Sequence, residues 1–180
     1  MCGGQGSRLD SDCEKPLFEI DGRPMIDRVV AALEVSSVDT VHAAVSPQTP
    51  ETGTHLRERS VSRIQTPGEG YVSDLDAALE AVGEPVLTVV ADLPLLSASL
   101  VDRILDTYDS GSLAVYTPVP IKQQLGLSVD ITLEGKNNEL TPAGVNIVAD
   151  GAEHRHVSYD VRLAVNVNHL ADAEIAEAIV

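Results

Sequence analysis

The sequence predicts an α/β protein built on a mostly parallel sheet. Apolar runs alternate with amphipathic stretches along the chain, the pattern of strands separated by helices. The most apolar run, Pro85-Val86-Leu87-Thr88-Val89-Val90-Ala91, has the character of a central strand covered on both faces. The chain has 180 residues, 43% of them hydrophobic, which suits one domain over residues 1–180 with a sizeable core. With four Tyr, one Phe and no Trp, that core must come from branched aliphatics.

Met25, Ile26, Val29, Val30 and Leu33 share one helical face, with Pro24 at a plausible first helical position. Residues 38–45 read as a strand, and a Ser/Pro/Thr loop over 46–52 precedes a short polar helix. Residues 62–65 form a short strand. Thr66-Pro67-Gly68-Glu69-Gly70 is a turn that opens a helix over 71–82, where Leu75, Ala78, Leu79 and Val82 share a face. The apolar run 85–91 follows and ends at Asp92-Leu93-Pro94. Ser97 or Ser99 could cap the next helix, which extends to about Tyr108. Residues 113–117 form another strand. A strand is expected around 127–133, then a Gly-Lys-Asn-Asn turn. Strands over 140–149 and 157–167 and a closing helix over 171–179 complete the chain.

The chain carries 28 acidic and 12 basic residues, a net charge of −16. That argues against nucleic acid bound through its phosphates and against an anionic membrane surface. No apolar run approaches the roughly 18 residues of a membrane span. The Lys-poor, Asp-rich bias looks like that of a protein from a high-salt cytoplasm, where the repulsion is screened. Only Lys15, Lys122 and Lys136 are lysines, so any cation beside an anionic ligand matters more than usual. Cys2 and Cys13 form no C-x-x-C pair and no metal-ligand spacing, which reads as two reduced thiols in a cytoplasmic protein.

Gly3-Gly4-Gln5-Gly6-Ser7-Arg8 places three glycines in four residues. Such a loop turns tightly and can bring N–H groups against an anion, although glycine loops also make plain turns. Glu14-Lys15-Pro16-Leu17 supplies an ammonium that could neutralise phosphate, or a surface lysine beside Glu14. Asp92 ends an apolar strand, and ligands in open parallel sheets lie outside the carboxyl ends of strands. A carboxylate there can hold Mg²⁺, or cap a turn. Gly68-Glu69-Gly70-Tyr71 opens a helix, whose N-terminus can take an anion or serve only as an entry turn. His42, His55, His154, His156 and His169 are scattered and show no metal pairing.

Together these blocks resemble the nucleotidyltransferase superfamily, whose signature G-G-x-G-x-R is followed by E-K-P-L. Gly22-Arg23-Pro24-Met25-Ile26-Asp27, Ala91-Asp92-Leu93-Pro94-Leu95-Leu96 and Ala164-Val165-Asn166-Val167-Asn168 are similar to further stretches of it. Ile26-Asp27-Arg28-Val29-Val30, Ser46-Pro47-Gln48-Thr49-Pro50, Gly68 to Leu75 and Pro142 to Val148 resemble the archaeal GTP:adenosylcobinamide-phosphate guanylyltransferase family, in its order and over nearly the whole chain.

The resemblance implies a Rossmann-like three-layer nucleotidyltransferase fold and transfer of GMP from GTP to adenosylcobinamide phosphate, with release of pyrophosphate. It implies that Gly3, Gly4 and Gly6 cradle the triphosphate, that Arg8 and Lys15 neutralise it, and that Asp92 holds Mg²⁺. Ser46, Thr49 and the Gly68–Asp74 turn, including Gly70, would contact the guanosine. Asn146 and Asn166 would face the acceptor or the metal. A homodimer is compatible with all this. The rival readings are a molybdenum-cofactor or sugar-phosphate nucleotidyltransferase and a GTP-binding module without catalysis. The family's first strand precedes its glycine loop, and Met1 stands where that strand would end. The first strand is therefore expected to be truncated here, and the natural chain to begin upstream.

Overall fold

The computed structural model describes residues 1–2, 9 and 13–180. A 3₁₀ turn, Lys15–Leu17, leads through a short hairpin of β1 (Glu19–Ile20) and β2 (Arg23–Pro24) into α1 (Met25–Val35). β3 (His42–Val45), α2 (Pro50–Glu58), β4 (Ser62–Gln65), α3 (Tyr71–Val82), β5 (Val86–Val89) and α4 (Ala98–Asp106) follow. Then come β6 (Ser112–Pro118), α5 (Val119–Leu125), β7 (Leu133–Glu134), β8 (Glu139–Val148) and β9 (Glu153–Val157). Two helices, α6 (Val161–Ala164) and α7 (Leu170–Ile179), close the chain.

The main sheet has the order β5-β8-β6-β9, with β7 also paired to β8. β6 and β9 are parallel, and β8 runs antiparallel to both β5 and β6. Three of these four strands therefore share a direction, and β8 is the reversed one. β3 and β4 pair in parallel beside this sheet. Met1 and Cys2 lie between the two groups: the Met1 ammonium donates to Val89 O at 2.8 Å, Ala91 N to Met1 O at 3.3 Å, and Cys2 N to Ala44 O at 2.9 Å. This is the place that sequence reasoning gave to the end of a first strand. Beside it, β3 and β5 flank an apolar cavity of about 340 Å³ lined by Val29, Leu33, Ala44, Leu79 and Leu87.

Burial follows the period of each element. β6 and β8 alternate buried and more open residues, so each presents one apolar face. Val115, Val145 and Ile147 of that face pack against Val29 of α1 and Leu100, Val101 and Ile104 of α4. Burying each such side chain contributes about 1.5–3 kcal/mol. A second cluster joins Ile20 and Met25 to Val165, Val167, Ala173 and Ala176, and so fixes the C-terminal segment against the start of the chain.

Two expected strands are corrected. Residues 157–167 do not form one: β9 ends at Val157, and α6 begins at Val161. The Asp160 carboxylate accepts from Arg162 N at 3.1 Å and starts that helical turn. Residues 127–133 are mostly irregular, because α5 occupies the preceding stretch and stops at Gly126, φ +76°, leaving only Leu133–Glu134 to pair with β8. The strand expected over 38–45 begins at His42, and Ser97 is the N-cap of α4 without a side-chain bond into it.

Candidate active site

Three segments meet where β5 leaves the sheet. Val90 N donates to Gly144 O at 2.9 Å. Gly144 has φ +75°, and a Cβ there would stand 2.3 Å from Val90 Cγ2, so this close approach of β8 requires glycine. The chain then turns outward at Asp92, whose carbonyl accepts from Val167 N at 3.0 Å. The 166–168 segment is thereby tied to the end of β5.

Lys15 completes the junction. Its Nζ donates to Asp92 Oδ2 and, at 2.7 Å, to Asn168 Oδ1. Both members of the ion pair are largely enclosed, each side chain 16% exposed. The other carboxylate oxygen, Asp92 Oδ1, is buried and accepts no hydrogen bond from the described residues. An orphaned buried acceptor costs about 1–3 kcal/mol, and it is the kind of hard oxygen that a divalent cation takes. No group of three His, Cys, Asp or Glu side chains gathers at metal spacing among the described residues. An ion here would be held by Asp92, an amide oxygen such as that of Asn168, water and phosphate, the ligand set Mg²⁺ commonly accepts.

Glu14, the neighbour of Lys15 in the chain, is anchored on α2. Its Oε1 accepts from Glu51 N at 2.8 Å and its Oε2 from Thr52 N at 2.7 Å. These are orphan amides in the first turn of α2, where a negative charge also meets the positive end of the helix dipole. The carboxylate thus caps a helix 37 residues away in sequence.

A cavity of about 620 Å³ opens beside the pair, lined by Lys15, Asp92, Gln48, Gly68, Glu69 and Tyr71. Its far wall is the turn before α3. Gly68 N donates to Asp74 Oδ1 at 2.7 Å, and Gln48 Nε2 donates to Gly68 O at 2.8 Å. Gly68 has φ +76°, and its Cβ would lie 3.1 Å from Pro47 Cδ. The 46–49 turn and the 68–74 turn therefore pack directly on one another.

Below the junction lies a second lysine. Lys122 Nζ donates to Asn166 Oδ1 and, at 3.1 Å, to Ser128 O. Burial pushes its ammonium pKa below the usual lysine value, against the pull of Asp172, Asp92 and Asp130. Burial would raise the pKa of Asp172. Hydrogen bonds from the Ser128 amide and hydroxyl and the Asn168 and His169 amides outweigh it and hold the carboxyl low.

The structure brings Lys15, Asp92, Gly68, Gly70 and Asp74 together around one cavity. Ser46 and Thr49 are buried beneath its rim rather than lining it, and the Thr49 hydroxyl turns back on Ser46 O at 3.4 Å. Asn146 lies within β8, opposite Thr88 and Ala114, and does not line the cavity. Asn166 faces Lys122. Gly3, Gly4, Gly6 and Arg8 lie outside the described residues. No sequence pattern assigns a role to Lys122, Gln48 or the Glu14 carboxylate. The scarcity of lysine that singled out Lys15 applies equally to Lys122.

Residues 1–125 match the family of the MobA-like NTP transferase domain. The adenosylcobinamide-phosphate guanylyltransferase of Methanocaldococcus jannaschii is 32% identical over 192 aligned positions, covering 98% of this chain and 93% of its own length. The Bifunctional protein GlmU of Maricaulis maris is 31% identical over 116 positions, 62% of this chain and 26% of its own length. A CMP:2-keto-3-deoxy-manno-octonic acid synthetase solved with CTP shares the fold, with TM-score 0.64, 15% identity, 96% of this chain and 94% of its own covered. A transferase from Thermus thermophilus superposes with TM-score 0.54 at 19% identity, over 74% of this chain and 55% of its own.

Proposed function

The chain belongs to the MobA-like NTP transferase domain family, and on that footing we propose that it transfers GMP from GTP to adenosylcobinamide phosphate, forming adenosylcobinamide-GDP and pyrophosphate. The observation that carries the reading is the junction of Lys15, Asp92 and Asn168 at the end of β5, beside the cavity walled by the Gly68–Asp74 turn. The likeness to the Methanocaldococcus jannaschii guanylyltransferase over nearly the whole chain supports the choice of acceptor.

In this reaction an oxygen of the acceptor phosphate attacks the α-phosphorus of GTP in line. The bond from that phosphorus to the β-phosphate oxygen breaks, and pyrophosphate leaves with the electron pair. No covalent enzyme intermediate is needed. Both reactants are anions, so positioning and charge neutralisation supply most of the catalysis. Lys15 presents an ammonium to the triphosphate from its place between Asp92 and Asn168. Gly3, Gly4 and Gly6 cradle the phosphates with backbone amides, and Arg8 adds a second cation. The Gly68–Asp74 turn, supported by the 46–49 turn packed beneath it, holds the guanosine. Asp92, with its orphaned Oδ1, would hold Mg²⁺, which supplies charge to the phosphate oxygens when bound. The acidic surface suits this work to concentrated salt.

The test is to incubate the protein with GTP or ATP, Mg²⁺ and candidate phosphate acceptors, and to follow pyrophosphate. Release that requires both GTP and adenosylcobinamide phosphate is the expected result. Equal release with a sugar phosphate or a molybdenum-cofactor precursor would move the chain to another acceptor class. No release with any acceptor would contradict the proposal.

A further inference from the structure

Lys122 is only 2% exposed, although an ammonium taken out of water costs several kcal/mol unless its protons find acceptors. Two acceptors are provided, Ser128 O at 3.1 Å and Asn166 Oδ1. One belongs to the loop after α5. The other belongs to the segment that Val167 N ties to Asp92 O at 3.0 Å. The same loop and segment are joined again through Asp172, which accepts from Ser128 N at 2.8 Å and from Asn168 N at 3.0 Å. Each side-chain carbonyl of the Asn166-Val167-Asn168 run therefore meets one lysine: Lys122 takes Asn166 and Lys15 takes Asn168.

An asparagine amide has one acceptor end and one donor end. Lys122 takes one lone pair of Asn166 Oδ1 and so turns the amide, and the Asn166 NH₂ at its other end is a pure donor. A donor of that kind, two residues from Asn168 and one from the Val167–Asp92 bond, suits an anionic phosphate oxygen.

We infer that Lys122 is a positioning residue for the transfer step: it holds Asn166 so that the amide NH₂ is offered to the phosphate of the acceptor. This rests on the guanylyl-transfer reading above. Lys122 itself stays below the site and touches no substrate. A lysine that merely propped the loop would stabilise the protein without any coupling to Asn166 in the rate.

Single-turnover GMP transfer is measured for wild type, Lys122→Met, Asn166→Ala and the double variant. Each single variant is expected to lose about 10- to 100-fold in rate, since small misplacements near reacting groups cost that much. GTP affinity should stay within about twofold, as for an interaction made to the acceptor rather than the nucleotide. The double variant should be no slower than either single one. Independently of any substrate, the Asn166 side-chain amide signals in ¹⁵N NMR should be distinct in wild type and collapse to solvent-averaged positions in Lys122→Met. Additive rate losses, or amide signals unchanged by Lys122→Met, would overturn the inference. So would failure of both Lys122→Met and Lys122→Gln to fold, which would make Lys122 a structural prop. If wild type transfers no GMP, the functional reading falls while the amide signals still decide the role of Lys122.

Discussion

Asp160 shows how much a single carboxylate can be made to do. Arg162 brackets it, with Nε on Oδ1 at 2.9 Å and an Nη on Oδ2 at 2.7 Å, and Arg103 reaches Oδ2 at 2.5 Å. Hydrogen bonding by Arg162 is the largest cause of a pKa lowered from 3.8 to about 2. A lowered acid stabilises the folded state above its unfolded pKa, and loses that contribution as pH falls through the folded one. After allowance for solvent screening the contribution is about 1 kcal/mol. Asp160→Asn should therefore melt a few degrees below wild type at pH 6, and the two curves should converge between pH 4 and pH 2. A gap that persists at pH 2 would mean the effect is packing rather than charge. At this scale the sequence was legible where chemistry dictates residue type. Lys15 and Asp92 stood out because a scarce lysine and a strand-end carboxylate have few ordinary reasons to be there. The Thr49 hydroxyl sits on Ser46 O inside its turn, a place the sequence does not give, because a hydroxyl at a helix start serves a turn as readily as a ligand.

Among the elements, α2 depends on a residue outside itself. Its N-cap Thr49 makes no side-chain bond to the helix, and the Glu14 carboxylate takes the first-turn amides instead. Glu14→Ala should cost about 1–2 kcal/mol, the upper range for a lost cap, and lower the melting temperature by several degrees. The same variant should slow GMP transfer, because Lys15 adjoins the lost anchor. A variant that melts lower at an unchanged rate would separate the cap from the site. No local pattern announces such a contact, since cap and helix are 37 positions apart. Elements whose limits are set locally were read well: α3, between Gly70 and Gly83, and β4 lie where their flanking residues place them. Residues 157–167 were misread because their apolar run is cut by the Asp160 turn, a side-chain event hidden from periodicity.

At the scale of the whole molecule, charge and connectivity matter most. A net charge of −16 on 180 residues repels itself, and the Debye length shrinks from about 10 Å at 0.1 M salt to about 3 Å at 1 M. The melting temperature should rise by about 5 °C or more between 0.1 M and 2 M KCl as that repulsion is screened. A flat or falling curve would show the acid to be already balanced locally. The alternating pattern foretold an α/β sheet, but not the reversal of β8, because pairing direction is a long-range choice that adjacent residues do not encode.

On the proposed function, Lys15 and Asp92, joined at the end of β5, carry guanylyl transfer. Single-turnover GMP transfer by Lys15→Ala and Asp92→Ala, with folding checked by thermal melt, tests it most directly. Each variant should fold and lose at least about 100-fold in rate, the scale of a lost charge-stabilising group at a phosphoryl centre. Near-normal rates in both would show that neither side chain carries the transfer.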